Sequence, residues 1–221
     1  MTSSVQEVLA ELAALRDPKA RAINQRHGDD HEVNLSKLRA VAKGLKKQPE
    51  LAPALWDTDD TAARLVAILI CKPKSFTADQ LDAMLRAGRV PKVYDWLISY
   101  VVKKHPQVEE LRLRWLADTD PVVAAAGWAL TADLVTKDGD QLDHDQLLDV
   151  IAAEMADAPE RLQWAMNTCL GQIGIHDPTR RARVLAIGER LAVFRDYPTS
   201  PGCTSPYVPI WVGEMVRRAQ S

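Results

Sequence analysis

Three groups of residues in this chain have types and spacings that could do chemistry. His27 and His31 stand four apart with Asp29 and Asp30 between them, which on a helix could clamp a metal ion. Gly28 and the neighbouring acids read as a turn, which takes the two imidazoles off a common face. No third ligand presents itself, so no metal and no cofactor are expected. Asp95 lies in a segment opened by Pro91, opposite an apolar stripe of Val93, Trp96, Leu97, Tyr100 and Val101. It shares its face with Lys92, Ser99 and Lys103. That makes it an accessible carboxylate among cations, or an ordinary surface acid near a helix start. Finally, Arg39, Lys43, Lys46 and Lys47 recur at i, i+4, i+7 and i+8 beside Leu35, Leu38, Ala42 and Leu45. Such a row can track phosphates as point charges, and it can equally be a solvated helix face.

Other reactive side chains have weaker contexts. Cys71, Cys169 and Cys203 are odd in number and far apart, which argues for reduced thiols rather than a disulfide framework or zinc ribbon. Cys71 sits in an apolar run and reads as a small core residue. Cys203 lies in a Gly202-Cys203-Thr204-Ser205 turn with no His near it in sequence, so nucleophilic catalysis has little support. Trp56, Trp115, Trp128 and Trp164 recur at helical positions and read as packing anchors. No phosphate loop or dinucleotide fingerprint is present.

The elements that must position these residues are helical from end to end. Apolar periodicity of 3.6 recurs throughout, with no sustained alternation of period two, so the chain is expected to be all-α. Asp120-Pro121 and Asp177-Pro178 each place a capping side chain before a proline suited to a first helical turn. Pro91, Pro106 and Pro159 are read the same way. Thr77 with Gln80 forms a capping box, and Gly88 is a stop. The expected helices cover 4–15, 34–47, 50–57, 61–72, 77–87, 91–104, 106–117, 121–136, 143–157, 160–174, 178–192 and 208–219. Asp57-Thr58-Asp59 ahead of Ala62-Ala63 returns as Asp118-Thr119-Asp120 ahead of Val123-Ala124. This imperfect echo favours stacked antiparallel helix pairs over a closed bundle. Only 195–209, with Pro198, Pro201, Gly202, Pro206 and Pro209, resists a regular element. Its interleaved Tyr197 and Tyr207 make it a loop packed on the helices rather than a linker.

Composition sets the bounds. The chain has 221 residues, is 47% hydrophobic and 26% charged, and carries 28 basic against 30 acidic residues. That suits a globular fold. The longest apolar run, Val122 to Leu130, falls well short of the ~20 residues a membrane span needs, so no membrane partner is expected. The first residues have no secretory pattern, and a cytoplasmic protein is expected. The formal charge of -2 hides an asymmetry. Residues 1–104 hold 17 basic and 13 acidic side chains, whereas the remainder holds 11 and 17. Between Val33 and Pro49 there are five basic residues and no acid. Nucleic acid is therefore not excluded by the near-neutral total.

Several segments together resemble the DNA alkylation repair family, the HEAT-like-repeat proteins that include alkylpurine DNA glycosylases. They are Leu38-Arg39-Ala40-Val41-Ala42-Lys43, Ala63-Arg64-Leu65-Val66-Ala67, Val93-Tyr94-Asp95-Trp96-Leu97, Ala126-Gly127-Trp128-Ala129-Leu130, Ala165-Met166-Asn167 and Gly202-Cys203-Thr204-Ser205-Pro206. The resemblance covers roughly Val5 to Arg218 and implies one HEAT-like, armadillo-like domain over 1–221. Such a domain is a curved α-solenoid whose concave basic face grips double-stranded DNA, alkylated or branched, as a monomer. On that footing Arg39, Lys43, Lys46, Lys47, Lys92 and Lys103 are the expected DNA-binding residues.

The resemblance further implies metal- and cofactor-free excision of cationic N3- and N7-alkylated purines. An Asp stabilises the sugar cation, assisted by a Trp one turn earlier and a phosphate-holding Arg on a later helix. Asp95 matches the carboxylate. Pro91 stands at the Trp position and Ala125 at the Arg position. Losing an aromatic face for a cation costs about 0.5 to 2 kcal/mol, and losing a charge-assisted phosphate contact about 1.5 to 3 kcal/mol. Excision is therefore expected to be slowed roughly 30-fold to several thousand-fold. The other expectation is a non-enzymatic solenoid that serves as a protein-interaction scaffold.

Overall fold

The computed structural model describes residues 3–220, and the side chain of residue 140 lies outside the description. Among the described residues there is no strand, only one isolated bridge between Arg16 and Val33. The chain divides into two compact units, Met1–Glu110 and Leu111–Ser221.

The first unit begins with α1 (Val5–Ala14), where Ser4 and Glu7 close a reciprocal capping box. Next comes α2 (Pro18–Gln25), a helix that periodicity does not reveal because Ala20 is its one buried residue. Asp17 caps it ahead of Pro18, the same Asp-Pro device that opens later helices. α3 (Leu35–Gly44) starts at Asn34, whose side chain accepts from Ser36 N–H. It packs with α1 and α5. α4 (Ala52–Trp56) and α5 (Thr61–Ile70) form the central pair, and eight of the ten residues of α5 are buried. α6 (Ala78–Ala87) opens on the Thr77–Gln80 box and stops at Gly88, as the sequence indicates.

The segment expected as one helix over 91–104 is three structures in series. α7 (Pro91–Trp96) gives way to a π-helical turn at Leu97–Val101 and a 3₁₀ turn at Val102–Lys104. The amide of Val102 is shared between the carbonyls of Ile98 and Leu97, which widens the helix by one residue.

α8 (Val108–Leu116) spans the boundary at Glu110. It begins two residues later than expected, so Pro106 lies in a turn and not in a first helical turn. The second unit then contains α9 (Pro121–Asp138), α10 (His144–Glu154), α11 (Glu160–His176), α12 (Arg181–Leu191) and α13 (Val208–Ala219). α9 and α11 are its central pair. A Cβ on Gly127 would lie 2.4 Å from the amide of Leu116, so the glycine sets how closely the α8 end can approach α9. Asp177 does not start a helix at Pro178. It receives the amides of Thr179 and Arg180, and α12 begins at Arg181. Burial pushes the Asp177 carboxyl up, but hydrogen bonds from Thr179, His144 and the Arg180 amide outweigh it and hold the carboxyl down to about 2.

The repeated Asp-Thr-Asp signal has a physical counterpart. Asp60 caps α5 by accepting from Ala63 N–H, and Asp120 caps α9 by accepting from Val122 N–H. Each capping residue is held by its upstream neighbour, Thr58 Oγ1 in one case and Asp118 Oδ1 in the other.

Candidate nucleic-acid interface

Asp95 is exposed on α7. The helix starts at Val90, whose side chain cannot cap it, and the missing cap comes from elsewhere in the chain. The buried Asp29 accepts the Lys92 amide at 2.7 Å, while Gly28 adopts a φ of +76° beside Pro91. The His27–His31 segment thus positions the helix that carries Asp95. Among the described residues no three His, Cys, Asp or Glu side chains gather as a metal site. His31 is buried, and its Nδ1 lies 3.2 Å from the Asn24 amide nitrogen, which also donates to His31 O. A proton on Nδ1 would face that donor, so the neutral ring carries its proton on Nε2. Burial is the main cause that lowers the His31 pKa.

The expected basic stripe is only partly helical. α3 ends at Gly44, so Arg39 and Lys43 share its register, whereas Lys46 and Lys47 lie in the following turn. All four side chains are exposed. Arg39 joins the stripe to the Asp95 helix. Its guanidinium lies 4.7 Å above the Trp96 ring, and Nη2 is 3.4 Å from the Tyr100 hydroxyl. Trp96 and Tyr100 meet edge-to-face at 5.5 Å, and Lys104 Nζ is 5.8 Å from the Tyr100 ring. Lys43, Lys46 and Lys47 have no ion-pair partner among the described residues. Lys92 and Lys103 are half-buried on the two halves of the segment that carries Asp95.

The groups that flank Asp95 in sequence offer it no open aromatic face. Pro91 packs against Gly28, the Trp96 face is covered by Arg39, and Tyr94 is buried. In the second unit Ala125 is 1% exposed and belongs to the hydrophobic core with Trp128 and Cys169. Its Cβ points inward, so the position presents no group to a phosphate. Trp128 is buried as well and offers no substitute face.

A sequence model of the family described as "DNA alkylation repair enzyme" matches residues 8–195. This chain belongs to that family. Among solved structures it is similar to one described as "A new family of proteins related to the HEAT-like repeat DNA glycosylases with affinity for branched DNA structures". That match has a TM-score of 0.78 at 20% identity, over 98% of this chain and 95% of the other. The DNA alkylation repair chain thus has an all-α HEAT-like repeat fold. A search of curated proteins found no match.

The family member differs from its sequence expectations in its tryptophans. Trp56, Trp115 and Trp128 are buried anchors, but Trp164 is 43% exposed. Its neighbours on the helix face, Glu160, Arg161 and Thr168, are polar, and that pattern could have marked it as outward-facing. The three cysteines are unpaired. Burial pushes the thiols of Cys71 and Cys169 up to about 11 and about 12, whereas Cys203 is exposed. No described helix is long and apolar enough to cross a membrane.

Proposed function

We propose that this member of the DNA alkylation repair family is a DNA-binding repair protein, with weak or absent excision of alkylated purines centred on Asp95. The observation that carries the reading is the exposed, unneutralised lysine row Lys43, Lys46 and Lys47. It runs on from Arg39, which reaches the helix of Asp95. The row, together with Lys92 and Lys103, would hold phosphates, and Asp95 would face a sugar that develops positive charge. Excision is weak in this reading because the two supporting groups are gone. Pro91 offers no ring to a cationic base, and Ala125 lies in the core. The branched-DNA affinity of the structural relative favours a binder of DNA shape over a catalyst.

The test is base release from methylated duplex under single-turnover conditions, run beside a salt titration of binding. Arg39, Lys43, Lys46 and Lys47, at one phosphate each, contribute about -3.6 to the log–log slope, and Lys92 and Lys103 would steepen it further. Slow release of 7-methylguanine or 3-methyladenine that disappears in Asp95→Asn would place Asp95 in the mechanism. Equal release by the variant would remove it. DNA binding without release identifies a non-catalytic binder, and no binding at ~50 mM salt would favour a protein-interaction scaffold.

A further inference from the structure

One cavity lies wholly within the second unit and shares no residue with the basic row. It encloses about 510 Å³ between α11 and the segment before α13, a size typical of small-molecule sites. Trp164, Tyr197 and Trp211 supply aromatic walls, and Thr168, Thr204 and Ser205 supply hydroxyls. No charged side chain lines it.

Two of the rings are unusually open for their size, Trp164 at 43% and Tyr197 at 45%. They are nevertheless fixed. Trp164 and Tyr197 stand 5.4 Å apart, and Phe194 braces both at 4.9 and 5.7 Å. Phe194 is held in the left-handed region at φ 59°, two residues after Ala192 at 54°. Such conformations are strained for side chains with a Cβ and concentrate where a site needs a particular aim. Trp211 is pressed against α11 where Gly171 leaves room, since a Cβ there would lie 2.3 Å from the ring. Asn167 also lines the cavity and is 3% exposed. Its Nδ2 donates to Pro206 O at 3.0 Å, and its Oδ1 has no partner among the described residues. A buried acceptor left unmatched is uncommon and is satisfied when a ligand brings a donor.

These features select a ligand. The neutral lining disfavours a phosphate or carboxylate anchor, the rings favour a flat π-system, and Asn167 asks for an N–H. A nucleobase has that combination: a face that stacks on aromatic side chains and an edge of amino or imino donors. We propose that this cavity takes one unstacked nucleobase, stacked on Trp164 and Tyr197, with an edge N–H donated to Asn167 Oδ1. The chemistry rests on the cavity alone. That the base belongs to a DNA strand rather than a free nucleoside rests on the DNA-binding reading above.

The experiment compares a fully paired duplex, the same duplex with a single unpaired 2-aminopurine, and free 2-aminopurine nucleoside. The wild-type chain should bind the unpaired-base duplex roughly tenfold tighter than the paired one, with quenching of the 2-aminopurine emission. Trp164→Ala and, independently, Tyr197→Ala should abolish both effects while leaving paired-duplex affinity unchanged. Equal affinity for the two duplexes without quenching would overturn the base site and leave the DNA reading standing. So would a preference that survives in both variants. If neither duplex binds but the free nucleoside is quenched in a Trp164-dependent way, the DNA reading fails and the site takes a free base. If nothing binds, both fail.

Discussion

In the first unit the guanidinium of Arg39 lies over Trp96 and that of Arg64 over Trp56, whereas in the second Trp164 and Tyr197 stand open to solvent. First-unit arginines are ion-paired, Arg64 with Asp59 and Arg86 with Asp82, but its lysine row contrasts with the second unit's arginines. Lys43, Lys46 and Lys47 meet no acid among the described residues. Arg183 bridges Asp145 and Asp149, Arg180 adds a second cation to Asp145, and Arg217 and Arg218 converge on Glu214. Hydrogen bonds from Arg217 and Arg218 hold the Glu214 carboxyl down to about 2, and those from Arg180 and Arg183 lower Asp145. Arginine is weakly hydrated and stacks on rings, while lysine keeps its water and its field. A surface with covered rings and bare lysines suits phosphate. A surface with neutralised arginines and bare rings suits the flat face of a base.

Two helical glycines, one in each unit, give the largest expected difference. Gly127→Ala, in the second unit, forces a Cβ onto the Leu116 backbone and should destabilise by about 3 kcal/mol. Gly44→Ala, at the end of α3 in the first, meets nothing within 4 Å and should stabilise by roughly 0.5 to 1 kcal/mol. Urea midpoints of the two variants would check both signs, and equal effects would break the comparison. The lysine row comes next. Changing Lys43, Lys46 and Lys47 together to Gln should flatten the salt slope by about 2.7. Unfolding curves should barely move, because these side chains are exposed.

The fold was largely legible in the residues because caps and prolines punctuate it: Thr77–Gln80, Asp120-Pro121 and Gly88 all act as their types suggest. α2 escaped because a helix with one buried residue has no apolar stripe, although Asp17-Pro18 carries the same signal. The π turn was invisible for the opposite reason. Leu97, Ile98, Val101 and Val102 are all buried and Ser99 is exposed, a pattern that an unbroken α-helix would also give. Asp95 and the lysines could be found by charge and spacing. The Arg39–Trp96 contact and the Trp164–Phe194–Tyr197 cluster could not, since both join residues about thirty or more apart in sequence or depend on a positive-φ turn.

Two smaller effects sharpen the contrast. His31 is, with His105, one of the buried imidazoles of the first unit, and its pKa lies below the ordinary 6.5. The unfolded chain takes up that proton first as pH falls. Stability present above 6.5 should therefore decline below it until the folded-state pKa is passed. His31→Leu should show a flatter urea midpoint between pH 7.5 and 5.5, and an unchanged profile would remove His31 as the cause. The smallest change is expected for Asp145→Asn. It leaves Arg180 with Asp177 alone and Arg183 with Asp149 alone, keeps the thermal midpoint near that of the parent, and steepens the salt slope if the second unit then competes for phosphate.

The wide turn at Leu97–Val101 has a consequence for variation in chain length. It stores one residue more than an α-helical path of the same pitch, and it lies between Asp95 and Lys103. A one-residue deletion inside it can be absorbed by reverting to α-helical bonding, without breaking the helix. Later side chains then keep their phase relative to Asp95, because the wide turn had already taken up the extra residue, whereas the same deletion in a regular α-helical turn would rotate them by about 100°. The wide turn thus gives this segment one residue of latitude in length that the flanking α-helical turns lack.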